Sequence, residues 1–266
     1  MLRPDQGLGT NRPQGSGTYM YTIGEVVSHI QANPVGFSIA AIAVWIIGFS
    51  QYSYALAVQI KEKRSPWHFW QHAWYFAHDL VFVSLFYQWF YVVDFWAFKV
   101  MWAGCIVFVF IEIYCLYRSV KYERQELWGK YSKGPISERH AWTRGIIIYL
   151  FALALFALLR IGLGDPMVLA LTMSTNFMVA VAPLTLVQQR RSRWGSSVVL
   201  GYFVIIGTLF TFSPPQIGYW SRSADIFDQP WFYLLGAIAI VGAVWNVVLL
   251  HRLPRKVSTD GTKALL

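Results

Sequence analysis

Charge is scarce in this chain. Lys, Arg, Asp and Glu together make up 13% of its 266 residues, about half the share of an ordinary soluble domain. With 56% hydrophobic residues, that shortage argues against a water-soluble enzyme of usual make-up. Cysteine is nearly missing as well, and the two present, Cys105 and Cys115, lie in one apolar run. On a helix they stand roughly 15 Å apart at ~1.5 Å per residue, too far for a disulfide. A disulfide-stapled scaffold is excluded, and both read as small buried hydrophobes. No Gly-rich phosphate cradle, nucleophile-elbow serine or dinucleotide fingerprint occurs. The first residues lack the basic start, short apolar core and cleavage site of a signal peptide. Their Gly, Pro and Gln content predicts a flexible leader up to about Gly17, with 21–31 as a short interfacial helix.

What is abundant is aromatic and aliphatic. The chain carries 13 Trp, 15 Tyr and 19 Phe, a load that suits interfacial belts and apolar cavities. Windows near 20 residues predict seven transmembrane helices, at 35–58, 67–90, 95–117, 143–163, 167–187, 196–212 and 231–250. None shows the alternation of a membrane barrel, so the fold class is an all-α polytopic membrane protein. Residues 1–34 form an outside segment, 35–250 the transmembrane domain and 251–266 a cytoplasmic tail. The net charge of +9 comes from basic residues between the apolar runs. That points to the lipid bilayer as partner and away from nucleic acid. Lys and Arg crowd the first, third and fifth connections and the tail, and are sparse in the others. The positive-inside rule then puts the N-terminus outside or lumenal and the C-terminus in the cytoplasm. The ends of helices 1 and 5 both read Val-Gln followed by a basic loop (Ala57–Trp67 and Leu186–Gly195). This repeat predicts a 3+1+3 arrangement, two parallel triple-helix units joined by helix 4, with a site at their interface.

Two stretches resemble a known family. One runs from Trp45 through the first basic loop to Gln71-His72-Ala73-Trp74-Tyr75; the other is Gly218-Tyr219-Trp220-Ser221, followed by Pro230 and Leu235-Gly236. Together they are similar to the small seven-helix integral membrane terpene cyclases of meroterpenoid and indole-terpenoid pathways. The resemblance implies a membrane-embedded cyclase or isomerase that protonates an epoxide or olefin of a lipophilic prenylated substrate. In that family one acid in the helix 2 motif and another in helix 7 supply the proton. Here Tyr75 stands at the motif position, with Asp79 a turn further on. Helix 7 holds Ile240-Val241-Gly242-Ala243 and then Asn246, with no acid.

Ionisable residues deep in a span cost about 2.5–3.5 kcal/mol on insertion scales, so each is a functional candidate. Asp79 is mid-helix 2, and His68, His72, Tyr75 and Asp79 share one helical face. An acid in an apolar pocket keeps its proton and can donate it, with a histidine to reload or orient it. Asp79, His72 and Glu112 are therefore the candidate catalytic residues. Glu112 is either the second carboxyl of a pair with Asp79 or the partner of a basic residue such as Arg118. Trp45, Trp74, Tyr75, Trp102 and Trp245 lie deep enough to wall a substrate site, since aromatic faces stabilise a carbocation without trapping it. Asn176, Asn246, Gln216 and Tyr219 complete the candidate binding set; helix packing competes for the asparagines, and interfacial anchoring for Gln216 and Tyr219. Trp67, Trp70, Trp89, Trp96, Trp142, Trp194, Trp220 and Trp231 fall near span ends, as anchors do.

His68 and His72 at i, i+4, with Asp79, have metal-ligand spacing, but no His-Glu-x-x-His or cysteine cluster accompanies them. No metal is expected for that reason, and no redox cofactor, because cyclisation is a net isomerisation. A homo-oligomer is compatible with this reading. Two other functions fit the same spans: a small-solute transporter built from two triple-helix bundles, which the repeat favours, and a non-catalytic membrane subunit.

Overall fold

The computed structural model describes residues 19–257 and 264–265, and among them every regular element is helical. The predicted leader and most of the tail beyond 257 lie outside the described residues. Helix α1 (Ile23–Ala32) opens on a capping box in which the Thr22 side chain accepts the Glu25 N–H and Glu25 accepts the Thr22 N–H. Helix α2 (Pro34–Glu62) follows at once, with the Asn33 side chain accepting the Gly36 N–H and Pro34 in the first turn. Then come α3 (Phe69–Ser84), α4 (Trp96–Arg118), the short α5 (Arg124–Trp128), α6 (Glu138–Gly162), α7 (Leu169–Arg190), α8 (Val198–Thr211) and α9 (Pro230–Arg252). The short α5 was not expected from the sequence.

Among the described residues, five helical stretches are long and apolar enough to cross a membrane: Pro34–Glu62, Trp96–Trp128, Glu138–Gly162, Leu169–Arg190 and Pro230–Arg252. Their outer faces carry exposed Ile147, Leu150, Phe151 and Leu158 on α6 and Leu234, Ile238 and Val241 on α9. So much exposed apolar surface fits acyl chains and not water. The chain is a multi-pass membrane protein.

Helix α3 falls short of that length for a local reason. The Trp89 indole N–H donates to the Phe82 carbonyl at 2.8 Å, and the Leu85 N–H takes the same oxygen at 3.2 Å. The helical ladder is interrupted there, where an unbroken span to residue 90 was expected. The chain resumes at 86 and ends in a π-helical turn, Gln88–Val92. Trp89 is consequently fully buried, as are Trp67 and Trp220. These three are not the interfacial anchors expected, whereas Trp70, Trp96 and Trp231 are exposed.

Helix α3 packs against α4 and α6, and α9 packs against α7 and α8. Helix α2 lies chiefly against α8 and α4, and a contact between α3 and α7 joins the two groups. Gly242 of α9 faces Val181 and the Ala180 carbonyl of α7, where the two helices pack closely.

At the same end of the bundle as the start of α2, the chain before α1 caps α7. The Tyr21 hydroxyl donates to Asp165 and accepts the N–H groups of Met167 (3.1 Å) and Leu169 (3.2 Å), while Asp165 Oδ2 accepts the Leu171 N–H at 2.9 Å. These bonds satisfy donors that a helix start otherwise leaves open. Burial holds the Asp165 carboxyl above the ordinary carboxylate range, against the opposing pull of the hydrogen bonds from Tyr21 and the backbone.

Candidate active site

A cavity of about 170 Å³ lies between α2, α3, α4 and α7 and is closed at one end by the α8–α9 connection. Its wall is rich in aromatic rings: Trp45, Phe49, Tyr52, Tyr75, Phe108, Tyr219 and Trp220. Asp79, His78, Thr172 and Asn176 bring polar atoms to it. Gly48 and Phe49 at its rim are exposed on α2, and a side chain built at Gly48 would meet nothing within 4 Å. The cavity therefore opens sideways through the apolar flank of the bundle.

Asp79 is buried, and its partner is the neighbouring residue. Asp79 Oδ1 lies 2.8 Å from His78 Nδ1, and His78 Nε2 lies 2.8 Å from Thr172 Oγ1 on α7. The Thr172 hydroxyl donates to the Val168 carbonyl at 2.6 Å. With its only proton committed there, Thr172 accepts from His78, which assigns a hydrogen to Nε2. The contact between Nδ1 and Oδ1 then takes one hydrogen, shared by the imidazole and the carboxyl. The Cys105 thiol lies beside it, within 4.8 Å of both ligand atoms.

His72, expected to serve Asp79, does something else. Its Nδ1 lies 2.7 Å from Glu112 Oε2 and its Nε2 lies 2.7 Å from Ser65 Oγ. Glu112 thus pairs with neither Asp79 nor Arg118; the Arg118 guanidinium instead donates to the Gln59 and Ile60 carbonyls. The order serine, histidine, carboxylate resembles a nucleophile relay, but the surroundings do not suit acyl transfer. The Trp67 N–H is spent on Ser65 Oγ and the Ser65 N–H on Glu123, and neither Ser65 nor His72 lines the cavity. This network ties the loop after α2 to α3, α4 and α7, the last through Arg190, which donates to the Ser65 carbonyl and pairs with Glu123 at 3.1 Å.

Of the expected binding residues, Trp45, Tyr75, Asn176 and Tyr219 line the cavity. The Tyr75 hydroxyl accepts from Gln71 Nε2 at 3.0 Å, and Asn176 donates back to the Thr172 carbonyl at 3.2 Å. Trp74 packs edge-on against Phe156 at 5.0 Å, and Trp102 donates to the Val83 carbonyl at 2.9 Å, both behind the wall. Trp245 stands on the outer face of α9 beneath Arg252, and Gln216 is exposed. Asn246 is buried but away from the cavity.

The trio His68, His72 and Asp79 does not converge. His68 Nε2 is held by Thr185 Oγ1 at 2.8 Å. Two other buried sets do have metal-ligand proximity, His72 with Glu112 and Cys115, and His78 with Asp79 and Cys105. In each the imidazole has both nitrogens engaged by protein hydrogen bonds, so hydrogen bonding accounts for both arrangements.

The sequence reading missed His78 as Asp79's partner, Thr172 as its anchor, and Trp220 as wall. Adjacency of His78 and Asp79 was the available signal for the first. No protein-family model, curated protein or solved structure matches the chain.

Proposed function

We propose that this chain is a membrane-embedded cyclase or isomerase that protonates an epoxide or olefin of a lipophilic prenylated substrate. The observation that carries the reading is the hydrogen-bonded His78–Asp79 pair at a cavity rich in aromatic rings, which we read as holding one transferable proton. The resemblance to small seven-helix terpene cyclases points the same way. Asp79 delivers the proton to the epoxide oxygen or to an olefinic carbon. The ring C–O bond or the π bond breaks, and the carbocation is attacked by the next double bond. Trp45, Tyr75 and the other rings stabilise the migrating charge through their faces. Loss of a proton from the final cation returns it to the pair, so no redox cofactor or net reactant is consumed. General acids of this kind contribute about 10²–10⁴ in rate.

The architecture fits such a substrate. Seven crossings are proposed, formed by α2, α3 with its continuation to residue 92, α4, α6, α7, α8 and α9. The alternation of basic loops supports an outside or lumenal N-terminus and a cytoplasmic C-terminus. A cavity of about 170 Å³ is on the scale of one that takes a benzene ring, ~150 Å³. The forming ring occupies it, and the rest of the prenyl chain extends through the opening at Gly48 into the bilayer. A transporter of two parallel triple-helix bundles is less well supported. Such carriers have matching helix breakers in their two halves, whereas Pro183 of α7 has only Tyr54 opposite it in α2.

The test is incubation of the purified protein in detergent with a farnesylated phenol epoxide and no added cofactor. A cyclised product of unchanged mass supports the reading; recovery of untouched epoxide across a panel of prenyl epoxides and polyenes overturns it.

A further inference from the structure

Two hydrogen-bond donors at the closed end of the cavity have no partner among the described residues. The Tyr219 hydroxyl and the Trp220 indole N–H are both buried and unpaired, on residues 1% and 2% exposed, and both residues line the cavity. A buried polar hydrogen without an acceptor is costly enough that native proteins rarely leave one. Two on consecutive residues that line the same cavity point to a common occupant.

The loop that carries them is fastened by its own bonds. The Gly218 carbonyl accepts from Arg222, the Tyr219 carbonyl from the Ser223 hydroxyl, the Trp220 carbonyl from the Ser223 N–H, and the Ser213 carbonyl from the Ser221 hydroxyl. These bonds fix the loop's backbone, and neither side chain finds a partner within it. Gly218 allows the close approach, since a side chain there would collide with the Ser213 carbonyl. The Tyr219 ring is clamped as well, at 5.1 Å from Phe37 and 6.3 Å from Phe98. The two donors are held in place before any ligand arrives, the condition under which a hydrogen bond contributes most to affinity.

We infer that the cavity's ligand carries an oxygen acceptor, a carbonyl, ether or hydroxyl, that docks between the Tyr219 hydroxyl and the Trp220 N–H. The indole N–H donates only, so a pure hydrocarbon cannot satisfy this end of the site. The inference rests on the reading of this cavity as a substrate site and deepens it: the substrate is an oxygenated isoprenoid, anchored by its oxygen away from the chain's lateral exit at Gly48. Water is the competing occupant, and it would leave oxygenated and plain isoprenoids equal.

The experiment compares farnesylacetone with the hydrocarbon in which a methylene replaces its ketone, using ligand-induced shifts in Tm of the full chain in detergent to obtain each Kd. The wild type is expected to bind the ketone roughly tenfold tighter, the scale of one to two hydrogen bonds. In Tyr219→Phe, which keeps the ring packing, the preference shrinks; in the double variant with Trp220→Phe it falls to near one, the preference being the ratio of the two Kd values within each variant. A wild type with no preference, or a preference that survives in both variants, overturns the inference. The two readings fail separately. Ketone preference without turnover of any prenyl epoxide removes the cyclase and leaves the docking site. Turnover without ketone preference does the reverse.

Discussion

His78 and Asp79 are adjacent in sequence, yet the His78 ring turns back to place Nδ1 2.8 Å from Asp79 Oδ1 and reaches across to Thr172 on α7 with Nε2. One side chain thereby links two helices and fixes which of its nitrogens carries hydrogen. The state of the pair therefore depends on Thr172, a residue of another helix.

Thr172→Val tests that dependence. The substitution keeps the shape and removes the acceptor for His78 Nε2–H, leaving the imidazole free to take the other tautomer and compete for Asp79's proton. The expected result is a kcat lowered about tenfold or more with KM little changed, and a displaced pH–rate profile. An unaltered profile would show that Thr172 only packs.

Gly48 tests the lateral opening. A side chain there meets no neighbour within 4 Å, so Gly48→Leu leaves the fold intact but narrows the mouth. It is expected to raise KM for long prenyl chains several-fold and to spare short ones. Equal effects on both lengths would locate the access route elsewhere.

The Ser65–His72–Glu112 network is assigned to stability. Ser65→Ala and Glu112→Gln each weaken a buried hydrogen-bonded chain, with an expected loss of about 1–3 kcal/mol, read as a Tm several degrees lower in detergent. Turnover per folded molecule is expected to stay within a factor of a few. A loss of a hundredfold in either variant, at full folding, would reinstate His72 as catalytic.

How much of this is legible in the sequence differs by feature. The helices are, because apolar runs long enough to cross a bilayer leave little choice of element, and Asp79 stands out as an acid deep in oil. The partner is not legible, since helical-face reasoning selects residues three, four or seven positions away and passes over the adjacent one. Trp245 illustrates a second limit: α9 is apolar all round, so periodicity cannot tell its inner from its outer face. Trp89 and Trp220 illustrate a third. Near a span end a tryptophan looks like an anchor, but Trp89 is drawn inward by the Phe82 carbonyl and Trp220 by a loop that folds back over the cavity.

Asp165 gives a pH dependence outside the membrane spans. Its carboxyl is raised by burial, so the folded state binds the proton more tightly than the unfolded state. That contribution is fully present below the unfolded value, about 3.9, and is lost as pH rises through the raised folded value. The Tm of the wild type relative to Asp165→Asn is therefore expected to fall from pH 4 towards neutrality. Parallel profiles would mean that Tyr21 and the backbone donors fully offset the burial.

The central claim is that Asp79 supplies the proton, and the most direct measurement is product formation by Asp79→Asn beside the wild type, at matched Tm. The account predicts that the amide, of equal size but unable to donate an acid's proton, abolishes conversion of the prenyl epoxide while farnesylacetone still binds. Conversion by Asp79→Asn at the wild-type rate would contradict it.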